Sequence, residues 1–437
     1  KHSIYSWWKK DSKPGSMRAA AGQRADSSDD SDDGIRGEVH YVDEEAGRSS
    51  SSSSSAHRSS RWPNTYRALR RVRFKNPTQA KDIVRQYALK EEPFILEGVR
   101  LINVDKWADV NFIKQLLKDK KVLVKKSPDA FFRYYDLKKN AGNFLFEAPV
   151  KEDQMTFAEF LAESEDLLDR GSGARMYLQE TLSGHEELAQ EFASWNWELL
   201  LNMSKECGWG LPDSNELFVG MRGVETPLHY DEKENLFFQV RGKKEVCLFP
   251  WTDYVRLYPF PMTHPCDRQS MVGNPRAPDL QAFPRFSEAS GHVGELSPGD
   301  LLYIPYGWWH WLRNTDHLAA SVSFWSKARS VDLSKGVPEK FTRGMITRVR
   351  RNLESLVAQD NGTRLNEEMM RVQKAILDGK EDATLKAVRS LLVAVKIPPE
   401  AQDRFLLELI EGRFGIDWQR HVPGGGVAVE QNRTPGG

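Results

Sequence analysis

A mainly β core of sandwich or jelly-roll type, with helices before and after it, is the fold class this sequence predicts. Three observations carry it. Short β segments crowd between Glu216 and Ser326 (ELFVGM, TPLHYDE, NLFFQV, KEVCLF, DLLYIP, HWLRN and AASVSFW), with Gly or Pro between several of them. Helical periodicity lies upstream in MTFAEFLAESEDLLD and HEELAQEFASWNWELLL, where apolar residues recur at three and four. It returns after Ser326, where Ile346, Val349, Leu353 and Leu356 share one spacing and Phe405, Leu409 and Ile410 another.

Residues 1–61 differ in kind, because DSSDDSDDG and the serine run from Ser49 to Ser55 hold too little apolar content to bury anything. They read as a disordered acidic, Ser-rich tail. From Trp62 aromatics recur, and EEPFILEGV, KKVLVKK and FFRYYD read as short strands between charged turns. The 62 Lys and Arg balance the 62 Asp and Glu, which argues against a nucleic-acid binder driven by phosphate attraction. No apolar run approaches the length of a membrane span. Three widely spaced cysteines suggest neither a disulfide framework nor a thiolate zinc site. With no secretory leader in KHSIYSWWKK, the expectation is a cytoplasmic or nuclear protein.

Among the ten histidines, His229 has a carboxylate, Asp231, two residues on within a strand pattern, where both side chains point the same way. His185-Glu186-Glu187 has similar letters but opens a helix, where residues two apart diverge, so it reads as surface. One further imidazole would complete the two-His, one-carboxylate triad that holds non-heme ferrous iron with open positions. His310 is the candidate: it lies in SPGDLLYIPYGWWHWL, where Gly307 allows a bend that returns the imidazole toward distant strands. Trp308, Trp309 and Trp311 read as core or as shielding around the ligands. Period two also places Lys244, beside a hairpin turn, on the apolar face that carries Val246 and Leu248.

The run TPLHYDEKENLFFQVRGKKEVCLFPW, then LYPFPMTHPCDRQS, PGDLLYIPYGWWHWL and SFW, resembles the asparaginyl hydroxylases typified by the factor inhibiting hypoxia-inducible factor. These belong to the JmjC, cupin-like 2-oxoglutarate oxygenases. The likeness extends through EEPFIL, RYYD, ARMYLQETL, RRNLESL and LLELIEGRF, with an insertion between about 358 and 400. It implies a double-stranded β-helix (jelly-roll) catalytic domain over 62–335, a helical dimerisation region over 336–420 and a flexible tail over 421–437. It also implies iron ligands at His229, Asp231 and His310. Lys244, Thr226 and Tyr177 would hold the distal carboxylate of 2-oxoglutarate, and Asn235 its iron-proximal carboxylate. The family's second asparagine is replaced here by Ser323, which keeps one donor but lacks the amide's fork. Arg268, Gln269, Tyr134, Gln179 and Trp325 would meet the target peptide.

The activity implied is hydroxylation of a protein side chain, asparagine at its β-carbon, coupled to oxidative decarboxylation of 2-oxoglutarate by dioxygen. Ferrous iron would be the cofactor, ascorbate its reductant, and the partners a peptide bearing asparagine and a second copy of the chain, with neither nucleic acid nor membrane involved. Two rivals stand beside this reading: another JmjC activity such as lysyl hydroxylation or demethylation, since fold and iron site do not fix the substrate, and a weakly catalytic peptide-binding scaffold, which Ser323 favours.

Overall fold

The computed structural model describes residues 62–63, 66–139, 148–182, 185–327, 343–358 and 364–415, so both expected tails lie outside the described residues. The chain opens with β1 (Arg67–Ala68), β2 (Arg71–Val72), α1 (Pro77–Lys90), β3 (Phe94–Leu96), α2 (Val104–Ala108), α3 (Val110–Leu117) and β4 (Lys121–Ser127). It continues through β5 (Lys151–Thr156), α4 (Phe157–Asp169), β6 (Arg175–Thr181), α5 (Glu186–Ala193) and α6 (Trp197–Glu206). Asn196 breaks the helical stretch before α6, because its side chain accepts from Leu199 N–H as an N-cap.

The core strands are β7 (Ser214–Met221), β8 (Glu225–Tyr230), β9 (Glu234–Arg241), β10 (Lys244–Phe249), β11 (His292–Leu296), β12 (Leu301–Ile304), β13 (Trp309–Asn314) and β14 (Leu318–Ser326). They fall into two facing sheets. Among the described residues one has 5 strands in the order β1-β11-β10-β13-β8, the other 9 in the order β2-β3-β12-β9-β14-β7-β6-β4-β5. Most successive core strands cross from one sheet to the other, which is the double-stranded β-helix the sequence predicts.

Alternation along the strands builds the layers. On β9, Phe238 joins a core with Ile83 and Val84 of α1 and Leu200 of α6, while its neighbour Phe237 faces the space between the sheets with Leu302 and Val246. β9 is therefore buried on both faces and reads as a continuous apolar run. On β10, Val246 and Leu248 point inward as expected, while Cys247 and Phe249 point outward. FFRYYD is the exception. Phe131 makes a single bridge to Glu225, after which the segment crosses as a loop. Its backbone groups go elsewhere: Asp136 N–H donates to Pro265 O at 2.9 Å, and Tyr134 O accepts from the Gln269 side chain.

The C-terminal helices are α7 (Arg343–Ala358), α8 (Leu365–Leu377), α9 (Ala383–Ala394) and α10 (Pro399–Ile410). They cover the outer face of the smaller sheet. Val349, Leu353, Met369, Leu385, Leu409 and Ile410 share one core with Phe249, Trp309 and Trp311. In a dimerisation region these stripes would be expected to lie exposed in a single chain and to be covered by a second copy; instead they are buried within one chain, Leu353 at 1% and Leu409 at 0% exposure. Leu356, placed on that stripe by spacing, points outward instead. The stretch read as an insertion supplies α8 and α9, which are integral to this core.

A buried ion pair fixes the unit: Arg413 meets Glu354 at 2.7 Å, both essentially without exposure, and Arg413 Nε donates to Pro259 O at 2.9 Å. Leu353→Arg is expected to lower stability by about 3–5 kcal/mol, because an unpaired charge enters a core. Chemical denaturation with light scattering checks this: an unchanged midpoint with a halved mass would instead place Leu353 at a seam between two copies.

Candidate metal centre

β8 and β13 run antiparallel with His229 directly opposite His310, and Asp231 follows β8 by one residue. The two imidazole centroids lie 4.1 Å apart. Candidate ligand atoms of His229, Asp231 and His310 all fall within 4.8 Å of one another. Each histidine commits its Nδ1–H to a carbonyl two residues before it, His229 to Pro227 O at 2.8 Å and His310 to Trp308 O at 3.1 Å. That fixes the tautomer and leaves both Nε2 lone pairs for a metal. Gly307, at φ 73, makes the expected bend and donates its N–H to Asp231 O at 2.9 Å, tying the two ligand segments together.

Charge suits the same purpose. Burial, then the neighbouring His229, pushes His310 down to about 3, and burial likewise lowers His229, so both rings are neutral. Burial opposes charge on Asp231, yet the flanking histidines and a 2.9 Å hydrogen bond from Trp325 Nε1 hold its carboxyl below the usual range. Two neutral imidazoles and one carboxylate on one face fit ferrous iron with open positions.

These groups border a cavity of about 710 Å³, and all of the expected site residues line it. Lys244 sits on its floor, 3% exposed, and burial alone pulls its ammonium down to about 7. Among the described residues no carboxylate pairs with it; the rings of Phe237 and Tyr177 lie at 5.3 and 5.8 Å. Beside it the Tyr177 hydroxyl hydrogen-bonds Thr226. Tyr177 packs so tightly against Gly220 that a Cβ there would stand 2.8 Å from its ring. Asn235 Nδ2 and Ser323 Oγ meet at 3.4 Å, and Asn235 Oδ1 is buried without a partner. Turning this amide over lets Ser323 donate to Oδ1 and presents the NH₂ to the cavity.

At the mouth, Gln269 is bridged to His229 through the backbone, its amide donates to Tyr134 O, and its Oε1 is buried with no partner. Arg268, at φ 69, lies over the Tyr134 ring at 5.6 Å. Gln179 is held by Glu216. Trp325, expected against the peptide, lines the cavity but also orients Asp231. His185 stays apart, 3.7 Å from Glu180 at the start of α5.

Sequence reasoning missed Glu216, Asp267 and Arg351, which also line the cavity. Glu216 had a signal, being two residues from Phe218 on a strand. Arg351 had none.

Residues 80–330 match the cupin-like domain family. This chain belongs to that cupin-like family. HSPB1-associated protein 1 from Mus musculus is 36% identical over 145 residues, covering 32% of this chain and 29% of that protein. Lysine-specific demethylase 8 from Xenopus tropicalis is 28% identical over 249 residues, 55% of this chain and 49% of that protein. JmjC domain-containing protein D from Dictyostelium discoideum is 25% identical over 264 residues, 55% of this chain and 53% of that protein. The chain therefore spans about half or less of each of these relatives, none of them named as an asparaginyl hydroxylase. No helix among the described residues is long and apolar enough to cross a membrane.

Calorimetry with manganous ion, a redox-inert stand-in for ferrous iron, should show one site per chain. His310→Ala should weaken it by about a hundred-fold or more. Equal affinity in the variant would exclude the site.

Proposed function

We propose that this cupin-like protein is a 2-oxoglutarate- and ferrous-iron-dependent oxygenase that hydroxylates a protein side chain. The observation that carries the reading is the pairing, in one cavity, of a three-ligand metal site with a buried lysine that lacks an anion. A buried ammonium is costly unless an opposite charge joins it, and the distal carboxylate of 2-oxoglutarate supplies one. Tyr177 and Thr226 add hydroxyl donors to that carboxylate, while Asn235 and Ser323 stand ready for the iron-proximal one. His229, Asp231 and His310 would hold ferrous iron, which would supply dioxygen activation, with one oxygen atom passing into succinate as carbon dioxide leaves and the other into the substrate C–H bond. Ascorbate keeps the metal ferrous.

For the substrate we favour asparagine. The orphaned Gln269 Oε1 accepts from a side-chain NH₂, Arg268 donates to its carbonyl, and Tyr134, 52% exposed, offers a ring to the peptide. One observation favours a cationic side chain instead: Glu216, raised by burial, faces the cavity with Phe218 and Trp325, whose rings meet edge-on at 6.1 Å. A relative's name, lysine-specific demethylase, points the same way. The weakly catalytic scaffold would leave Lys244 without a role. Three unpaired cysteines fit a reducing compartment, the cytoplasm or nucleus. A homodimer would form through the outward helix faces, where Leu377 is 70% and Val393 59% exposed.

The deciding experiment incubates the protein with ferrous iron, ascorbate, 2-oxoglutarate and peptides bearing asparagine or lysine. Succinate with a one-oxygen mass gain on asparagine is expected; the gain on lysine moves the substrate claim, and no succinate leaves the scaffold. Gln269→Ala should retain metal and 2-oxoglutarate binding while peptide hydroxylation falls about ten-fold or more. A peptide rate equal to the parent's would remove Gln269 from substrate binding.

Lys244 gives a pH dependence. Its ammonium, not its amine, binds the dianion, and in the free protein that ammonium is lost as pH rises through about 7. Affinity for 2-oxoglutarate should therefore be full below that value and fall about ten-fold per unit above it. Calorimetry between about pH 6 and 8 reads the slope, and Lys244→Met should bind weakly with no slope. A flat profile in the parent would displace the lysine from this role.

A further inference from the structure

The segment that carries Arg268 and Gln269 over the cavity leaves β10 and returns along the free edge of β8. Its own backbone holds only part of it. Tyr230 N–H donates to Arg268 O at 3.1 Å and Ser270 N–H to Leu228 O at 2.8 Å, while Phe260 N–H closes the loop onto Gln269 O at 2.9 Å. Beyond its internal turns and the bond from Asp136 N–H to Pro265 O, α7 ties it at two places. Glu354 accepts from Met262 N–H at 2.7 Å near the loop's start. One turn earlier on the same helix face, Arg351 forks onto Asp267 near its end, Nη1 to Oδ1 at 2.7 Å and Nη2 to Oδ2 at 2.9 Å. Asp267 directly precedes Arg268, the residue held at positive φ. The Arg351 guanidinium also lies 3.4 Å from Glu232, the neighbour of Asp231, and 3.4 Å from the Tyr230 hydroxyl on the other side.

We propose that Arg351 is a positioning residue that sets the substrate loop against the metal strand, so that the C-terminal helical unit is part of the site's working geometry. A planar fork onto a carboxylate that is itself 3% exposed fixes direction as well as distance, which a flexible lysine does not. Lys139, 2.6 Å from Asp267 Oδ2, approaches from the loop's other side and closes the clamp. The effect on peptide rests on the hydroxylase reading above; the effect on the loop does not.

The test uses the full chain with Arg351→Met, in which Lys139 still neutralises Asp267, and Asp267→Asn as a second variant in case the first folds poorly. Hydrogen exchange of the Met262 and Gln269 amides should quicken by about ten-fold in both, with manganous ion and 2-oxoglutarate still bound, and the peptide KM should rise by a similar factor. The double variant should be no worse than either single one, and Arg351→Lys, with charge but no fork, should recover only part of the loss. Unchanged exchange overturns the proposal, as does a loosened loop with an unaltered peptide KM. Should the parent hydroxylate no peptide, the hydroxylase reading fails, and the exchange result alone decides whether Arg351 positions the loop.

Discussion

The pairing of β8 with β13 sets His229 opposite His310, and a slip of one residue in either strand would turn one imidazole out of the cavity. That register is defended from several directions. Trp309 and Trp311, neighbours of His310, are anchored without exposure in the outer core, so β13 cannot rotate. β8 carries an irregularity between the His310 and Leu312 pairings, around Pro227, a residue tolerated on an edge strand because its missing N–H costs no ladder bond there. The irregularity also has a chemical effect. Thr226 and His229 are three apart, so strict alternation would send them to opposite faces, yet both line the cavity.

A site of this kind is a local concession of stability. Lys244, Asn235 and Gln269 place polar groups at depth without full partners, against the rule that nearly all buried polar atoms are satisfied. The surrounding layers bear the cost. All residues but one in each of β9 and β14 are buried, and helices seal the outer faces of both sheets, so the cavity floor does not collapse around the lysine. The same dry surroundings strengthen any ion pair formed there, which is how a buried cation without a partner becomes a binding determinant.

Much of this was legible in the sequence where one periodicity governed. His229 with Asp231, and Lys244 with Val246, are each two apart in a strand pattern, and each pair turned out on a common face, whereas Tyr177 and Gln179 came from the resemblance alone. Legibility failed where another constraint overrode spacing. FFRYYD has strand composition, but after one bond from Phe132 N–H to Glu225 O of β8 its backbone turns to a side chain and a loop, and the C-terminal stripe is apolar because it covers a sheet of its own chain. Leu356 lies on the same spacing yet is exposed, because the helix packs mainly against its neighbouring helices and the turn at 251–257. Glu216 shares a face with Phe218 by period two, but which face that is becomes visible only when Ser323 is seen opposite it. Arg351 belongs to contacts between residues far apart in sequence, for which no local pattern exists.

The match to the cupin-like family ends at residue 330, and a catalytic domain drawn at 335 would end close by. The physical unit does not end there. Leu228, Phe249, Trp309 and Trp311 share their core with Leu353, Met369 and Leu409, so the smaller sheet's outer face has no cover without the helices. An uncovered apolar sheet face that includes the strand of His310 would not keep its register in water. The helices that bury this face also carry Glu354 and Arg351, and so the surface that stabilises the metal strands is the one that holds the loop above them.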